Sequence, residues 1–260
     1  MQSVCETACF WCLRLKKCRG DAHVNAVQSV PSERATQWKL GHYVSTSTFT
    51  AFDFETANEG RGSPCSLGLV VVENGIIKEK RSWLIRPKEL RFNSMNIGIH
   101  GIYEKDVADQ PEFDVLWKNE IASYFENKLV VAHNASFDTS VLRTTLALYG
   151  LPFPSLTYTC TLLLSRVVWP GLLSYKLGTL AERFQIKFKH HDAEDDAFAC
   201  AEIALRALER GQATELQELS NKFGLVLGRL HLGGYKPAKA KPKTPSKLSP
   251  VKKTFGANPR

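Results

Sequence analysis

The stretch Phe49–Thr56 alternates aromatic with acidic side chains along its second half, and this alternation most limits what the chain can fold into. Successive side chains of a β-strand point to opposite faces, so Phe52 and Phe54 can enter a core while Asp53 and Glu55 share the other face. The Cα atoms of these two acids would lie roughly 6.6 Å apart. Neighbouring carboxylates raise each other's pKa, and Mg²⁺, which prefers carboxylate oxygens, would offset their repulsion. The plainer alternative is a strand end whose two acids face water.

The length of 260 residues allows one substantial domain with tails, and the hydrophobic content of 43% is enough for a buried core. No apolar run approaches the roughly 20 residues that a membrane-spanning helix needs, so we predict no membrane partner. The first twenty residues lack the charged start and apolar run of a secretory signal. We therefore expect a cytoplasmic protein.

The positive charge of the chain is concentrated at its C-terminus. The 25 residues from Lys236 to Arg260 hold seven Lys and one Arg without any acid, whereas the remaining chain has 26 basic and 26 acidic residues. This stretch has few apolar residues and frequent Pro, so we predict that it is disordered. It would serve as an arm that attracts nucleic acid, or only as a solubilising tail.

The N-terminal residues 1–45 show little regular pattern and are left unassigned, with mobility expected. Four cysteines occur there at positions Cys5, Cys9, Cys12 and Cys18. Their spacing lacks the paired CxxC units of a zinc site, and three of them also fall on one face of a helix. A metal knuckle and an ordinary helix face therefore both stay open.

Two further strands, Ser66–Val72 and Ile76–Ile85, are predicted beside the first. The Asn74-Gly75 pair between them suits a hairpin turn because both residues tolerate positive φ. Residues Asn96–Tyr103 are predicted to form a loop. Apolar positions then recur every three or four residues from Val115 to Phe125, which predicts a helix over the sheet.

A short apolar run, Leu129–Ala132, predicts a central strand and leads directly into the sequence HNASFD. Asn134 is predicted to cap a helix that ends at Gly150. Asp138 then lies in the first turn of a helix that follows a strand. In open α/β sheets, ligands bind at this carboxyl edge of the strands.

The third acidic segment, HHDAEDD, follows a predicted strand at Thr157–Thr161 and a predicted helix at Tyr175–Phe184. It opens a helical run, Ala197–Leu208, which Asp192 is predicted to cap. The helix dipole favours acids in a first turn, which explains the acids but leaves the two preceding histidines unexplained.

Taken together, D-x-E, H-N-A-S-F-D and H-D-A-E-D-D resemble the three motifs of the DEDDh exonucleases, the DnaQ-like proofreading group of the ribonuclease H-like superfamily. The resemblance covers about residues 48–210 and extends to His100-Gly101-Ile102 and Ser174-Tyr175-Lys176-Leu177. It implies an α/β, ribonuclease H-like fold with a mixed five-stranded sheet flanked by helices. It places the exonuclease domain at 46–215, which leaves a C-terminal extension at 216–235 before the basic tail at 236–260.

The resemblance implies a catalytic set of Asp53, Glu55, Asp138, His191 and Asp196. The four acids would bind two divalent cations, Mg²⁺ or Mn²⁺, with Asp53 bridging them, Glu55 and Asp196 completing one site and Asp138 serving the other. His191 would be the general base, since it precedes Asp196 by five residues as the family pattern requires. An imidazole with a pKa of about 6.5 suits that role near neutral pH.

Recognition of the substrate end is also carried over by resemblance. Six residues would surround the terminal base: Phe54, Thr56, His100, Ile102, Asn134 and Phe137. Stacking on apolar faces tolerates any base. Phe54, Ile102 and Phe137 are equally explained as ordinary core residues.

The function predicted by this resemblance is metal-dependent 3′→5′ exonuclease activity that releases nucleoside monophosphates. The preferred substrate is the 3′ end of single-stranded DNA, in a proofreading or repair role with a DNA polymerase as the expected partner. An RNA-trimming enzyme of the same family is the alternative, because contacts to the 2′-hydroxyl cannot be placed. A non-catalytic binding module is the competing class, although no acid and no catalytic histidine is missing.

Overall fold

The protein is described by a computed structural model, which covers residues 45–241. Three antiparallel strands begin it: β1 (Phe49–Thr56), β2 (Pro64–Glu73) and β3 (Ile76–Leu84). Asn74 and Gly75 both have positive φ, at 51° and 73°, so the predicted turn between β2 and β3 is confirmed. The predicted alternation of β1 is also found, since Phe52 and Phe54 are buried while Asp53 and Glu55 are only partly buried.

The central sheet is completed by parallel and antiparallel strands. β4 (Leu129–Ala132) pairs parallel to β1, and β5 (Leu156–Cys160) pairs parallel to β4. β7 (Gly228–His231) and β8 (Gly234–Lys236) continue the sheet in antiparallel pairing. The order β3-β2-β1-β4-β5-β7-β8 contains the five predicted strands and adds β7 from the predicted C-terminal extension and β8, which reaches the first residue of the predicted tail.

Helices flank this sheet, and their bounds are α1 Ser94–His100, α2 Glu104–Val107, α3 Phe113–Leu116, α4 Ser136–Leu148, α5 Thr161–Val168, α6 Leu177–Arg183, α7 Ala193–Gly211 and α8 Leu216–Lys222. A π-helical turn at Trp117–Ile121 and a 3₁₀ turn at Ala122–Tyr124 follow α3. No helix within residues 45–241 is long and apolar enough to cross a membrane.

Two local predictions were wrong. The segment Asn96–Tyr103 is not simply a loop, because α1 runs to His100 and ends at Gly101, whose φ of 73° allows a left-handed cap. Asn93 starts this helix by accepting a hydrogen bond from the backbone of Met95, a signal that the sequence interpretation overlooked. The helix predicted from Val115 to Phe125 is broken into three short turns of different geometry.

The hydrophobic core lies on both faces of the sheet. On one face, Phe52 and Phe54 pack with Phe113, Trp117, Phe125 and α4. On the other face, Ala51, Val70 and Val131 pack against the alanine-rich side of α7. Asp53 and Glu55 lie on this second face of β1, because they alternate with Phe52 and Phe54.

The predicted disorder of Lys236–Arg260 is wrong for its first residues. Lys236 ends β8, and β9 (Lys239–Ala240) pairs with β6 (Leu225–Val226). Backbone pairing orders a segment whose polar side chains alone predicted disorder. The rest of the predicted tail, and the predictions for the N-terminal segment and its four cysteines, lie outside the described residues.

Candidate active site

Asp138 links α4 to β1. It lies in the first turn of α4 just after β4 and is only 2% exposed, and its carboxylate accepts a hydrogen bond from the backbone N–H of Phe54 at 3.1 Å. The helix begins one residue later than predicted: Ala135 is the N-cap, and Asn134 has a left-handed φ of 60°. Asn134 therefore does not cap α4 and instead accepts a hydrogen bond from Ser136 Oγ.

Asp196 lies in the first turn of α7, which Asp192 caps as predicted. Both of its carboxylate oxygens accept from the backbone N–H of His191 at 3.3 Å. This turn rests directly on β2, because a Cβ atom on Gly68 would lie 2.0 Å from the backbone of Ala193. Gly68 pairs with Asp53 in the sheet register, so the close approach brings Asp196 to the acids of β1.

The carboxylates of Asp53, Glu55 and Asp196 meet, with ligand oxygens all within 4.8 Å of one another. Burial raises the pKa of Glu55 to about 8 and that of Asp196 to about 7, with further contributions from neighbouring acids. Burial likewise raises the pKa of Asp53, with Asp138 as the next cause, and the pKa of Asp138 to about 7. Such crowding of buried acids disfavours their ionised forms unless a cation lies among them.

His191 lies beside these acids on the loop before α7. It is exposed and adopts a left-handed φ of 67°, a conformation that costs about 1–2 kcal/mol for a residue with a Cβ. Burial by its surroundings, and then His190, lower the pKa of His191, while Asp196 opposes them. The imidazole is therefore neutral at pH 7 and able to accept a proton.

One cavity of about 810 Å³ joins these groups. Ten of the eleven predicted site residues line it: Asp53, Phe54, Glu55, Thr56, His100, Asn134, Phe137, Asp138, His191 and Asp196. The three motifs of the sequence therefore converge on one place in the fold.

Ile102 is the exception among the predicted site residues. It packs against Ala57, Cys65 and Val107 instead of lining the cavity, because α1 places Ile99 there. Ile99 is 48% exposed. Its apolar side chain therefore lines the cavity where Ile102 was predicted to lie.

Two other residues predicted to contact the substrate, Phe54 and His100, have side chains that make their contacts within the protein. The side chain of Phe54 belongs to the core, so only its backbone can face the cavity. His100 has both ring nitrogens engaged internally: Nε2 lies 3.2 Å from the carbonyl of Thr56, and Nδ1 accepts from the backbone of Ile102. Its ring therefore joins α1 to the end of β1.

The cavity also contains cations that the sequence interpretation missed, namely Arg61, Arg166 and Lys176. The guanidinium carbon of Arg61 lies 3.8 Å from the centroid of the Phe137 ring, within the range of a cation–π contact. Lys176 occurs in the sequence SYKL, which the resemblance included without assigning it a role. Arg61 stands in a glycine-rich turn directly after β1, a position that offered a weaker signal.

The family model described as Exonuclease matches residues 50–204 of the chain, which is more than half of its 260 residues. The chain belongs to this exonuclease family. The matched range of the exonuclease domain contains all three acidic motifs and His191. The resemblance drawn from those motifs is therefore confirmed.

Relatives of this exonuclease are much longer proteins. A PolC-type DNA polymerase III from Caldanaerobacter subterraneus subsp. tengcongensis is 31% identical over 184 residues, which are 70% of this chain and 13% of the relative. The 3′-5′ exonuclease DinG of Bacillus subtilis is 30% identical over 166 residues, which are 62% of this chain and 18% of the relative. The chain thus matches less than a fifth of the length of either protein.

Solved structures agree on the fold. Exonuclease X in complex with 5′ overhanging duplex DNA is 27% identical, with a TM-score of 0.55 over 68% of this chain and 99% of that chain. Exonuclease I of E. coli in complex with a dA16 oligonucleotide is 18% identical, with a TM-score of 0.55 over 64% of this chain and 42% of that chain, a likeness of fold alone. The predicted ribonuclease H-like α/β fold is confirmed.

Divalent metal ions are implied by the exonuclease fold, and the donor set fits them. The oxygens of three carboxylates converge within 4.8 Å, and Asp138 lines the same cavity. Carboxylate oxygens are the ligands that hard divalent cations prefer.

Proposed function

We propose that this chain is a metal-dependent 3′→5′ exonuclease that hydrolyses DNA from its 3′ end and releases nucleoside monophosphates. The observation that carries the proposal is the meeting of Asp53, Glu55, Asp138 and Asp196 in one cavity, with His191 beside Asp196. The identity to PolC-type polymerases and to the 3′-5′ exonuclease DinG supports the direction and the DNA substrate.

In this proposal the acids hold two Mg²⁺ or Mn²⁺ ions. Asp53, Glu55 and Asp196 would hold one, and Asp53 with Asp138 would hold the other. Paired divalent ions stabilise the attacking and leaving oxygens of an in-line displacement at phosphorus. The hydrogen bond from Phe54 to Asp138 fixes one of these ligands in place.

His191 acts as the general base. Its neutral imidazole takes the proton of the attacking water, and its backbone N–H holds the Asp196 carboxylate at the same time. The strained loop conformation keeps both parts of His191 next to Asp196. A neutral imidazole at pH 7 suits this proton transfer.

The substrate strand is held by the cations and apolar groups of the same cavity. Arg61, Arg166 and Lys176 would contact phosphates, while Ile99 and Phe137 would contact the terminal base. Asn134 and the backbone at Phe54 and Thr56 would complete the pocket. Contacts to phosphates and to base faces do not select a sequence.

The wider setting belongs to the same proposal. Single-stranded DNA is the preferred form of the substrate, and the site acts in the cytoplasm in proofreading or repair. The PolC-type relatives favour a DNA polymerase as partner, in cis or in trans. The proposed exonuclease domain extends beyond the predicted bounds 46–215 to Lys236, because β7 and β8 belong to the same central sheet and Leu230 lies in its core.

The test is hydrolysis of oligonucleotides labelled at either end, with Mg²⁺ or Mn²⁺ and with EDTA as the control. Single-stranded DNA, duplex DNA and RNA of one sequence are compared. We expect a 3′ label to be released as mononucleotide and a 5′ label to shorten stepwise, faster on DNA. Preferential hydrolysis of RNA would favour the trimming enzyme instead.

A matched pair of variants tests the site itself. Asp196→Asn removes one proposed ligand. Asp195→Asn makes the same change in charge one residue away, where the carboxylate accepts a hydrogen bond from the backbone N–H of Lys189. Asp196→Asn should lower kcat at least about a hundredfold, and Asp195→Asn should lower it little. Equal rates in the two variants would exclude the proposed site.

A further inference from the structure

A second group of potential metal ligands adjoins the four acids. His190, His191 and Asp196 each offer a ligand atom, and these atoms lie within 4.8 Å of one another. We name these three residues the histidine cluster. It shares Asp196 with the acids of β1 but contains two imidazoles, and the proposed reaction uses only one of them.

His190 is held in position although its side chain is 44% exposed. Its ring stacks on that of His191, with centroids 3.9 Å apart, and also packs against Phe188. A Cβ atom on Gly178 would lie 3.1 Å from Cδ2 of His190, so this glycine leaves room for the ring beside α6. Packing on three sides orders the imidazole before any ligand arrives.

The spacing within the cluster suits a tetrahedral ion. Nδ1 of His190 lies 3.4 Å from a carboxylate oxygen of Asp196. Two ligands at about 2.0–2.1 Å from a tetrahedral ion are about 3.3 Å apart. These two atoms are thus already at coordination distance from each other, and His191 must tilt out of its stack to join them.

The ligand types discriminate between metals. Mg²⁺ prefers oxygen ligands in octahedral geometry, whereas two imidazoles and one carboxylate suit Zn²⁺. Three protein ligands leave a fourth position for water. The histidine cluster and the four acids therefore favour different ions at neighbouring positions.

We propose that His190, His191 and Asp196 form a zinc site through which Zn²⁺ inhibits the magnesium-dependent exonuclease. Bound Zn²⁺ occupies the imidazole of His191 and a carboxylate oxygen of Asp196, so neither is available for hydrolysis. The inhibition rests on the proposed function, whereas the binding of zinc does not.

Binding is tested by calorimetric titration of the full chain with Zn²⁺ at pH 7.5, without other divalent ions. The variants are His190→Asn and, as a second replacement, His190→Gln, and thermal unfolding in EDTA confirms that each is folded. Glu55→Gln is the control, because it alters the acids of β1 and leaves the histidine cluster intact. The four cysteines in residues 1–44 are present in every one of these proteins, so whatever they contribute to the titration is the same in all of them.

We expect the wild type and Glu55→Gln to bind one Zn²⁺ that both His190 variants lose or bind at least about tenfold more weakly. Unchanged stoichiometry and affinity in the two His190 variants would overturn the site. Loss of this zinc in Glu55→Gln alone would place it among the acids of β1 and would also overturn the proposal.

Inhibition is tested by adding Zn²⁺ to the Mg²⁺-supported reaction, with each protein compared to its own zinc-free rate. The half-inhibitory concentration should rise at least about tenfold in His190→Asn. Unchanged inhibition, with zinc binding lost in the titration, would overturn the inhibitory role. A wild type without any hydrolysis would contradict the proposed function, while the calorimetric result would still decide the zinc site.

Discussion

A Cβ atom on Gly68 would lie 2.0 Å from the backbone carbonyl of Ala193, so the first turn of α7 and the middle of β2 are in direct backbone contact. Gly68 is also the register partner of Asp53. This single contact therefore sets how closely Asp196, on α7, approaches the acids of β1.

Gly68→Ala should push α7 away from the sheet. Overpacking of this kind typically costs about 1–3 kcal/mol, and the displaced Asp196 should also weaken metal binding and hydrolysis. The free energy of unfolding in urea and kcat with Mg²⁺ measure the two effects. Gly98→Ala is the control, since nothing lies within 4 Å of a Cβ there; equal stability of the two variants would contradict the expectation.

The metal-free wild type should lose stability as the pH rises, and Glu55→Gln should reduce this loss. The pKa of Glu55 is about 8 in the folded protein, against an ordinary 4.5. Between these values the unfolded chain has lost the proton that the folded protein keeps, so stability falls as the pH rises through this window. In EDTA, the Tm of Glu55→Gln should therefore exceed that of the wild type by at least about 3 °C at pH 8 and equal it near pH 4.

Mg²⁺ should stabilise the wild type more than it stabilises Glu55→Gln. The ion stabilises the ionised carboxylates, so the Tm of the wild type at pH 8 should rise with Mg²⁺ and that of Glu55→Gln should rise much less. Differential scanning calorimetry at several pH values measures both effects. A difference in Tm between the proteins that does not vary with pH would show that Glu55 is not protonated in the fold.

Arg61→Ala should weaken substrate binding more than chemistry. Arg61 lines the cavity beside Phe137, and its positive charge lowers the pKa of Asp138 against the larger, raising effect of burial. Loss of one phosphate contact should raise KM several-fold and reduce the salt dependence of binding by about one unit of slope. Arg210→Ala, at the exposed end of α7, is the control. A fall in kcat at unchanged KM would argue against a phosphate contact.

Removal of residues 242–260 should weaken binding to long substrates only. These residues carry four Lys and one Arg without any acid, whereas an earlier cut would remove β8 or β9. At low salt the Kd for a long single strand should rise several-fold, while cleavage of a dinucleotide stays the same. Gln at the four Lys positions, in a chain of full length, separates charge from length; an equal effect on both substrates would exclude the arm.

Local patterns identified most of the fold and the acids of the site. The alternation of β1 and the apolar run of β4 depend on neighbouring residues only, and the five predicted strands are all present. The resemblance carried by the three motifs also predicted ten of the residues that line the cavity, and Ile102 is the one predicted site residue that lies outside it. Side chains alternate between the two faces of a strand, so the buried face can be predicted directly from the sequence.

The sequence by itself therefore determined which residues face the core, which acids belong to the site and the order of the segments that carry them. Only the tertiary structure decided how closely the elements approach one another. Gly68 allows α7 to lie directly on β2, and α1 places Ile99 instead of Ile102 in the cavity. Backbone pairing orders Lys239–Ala240. It also placed Arg61 over Phe137 and His190 beside Asp196. These contacts join residues far apart in the chain, and their distances depend on the packing of whole elements, which no local periodicity encodes.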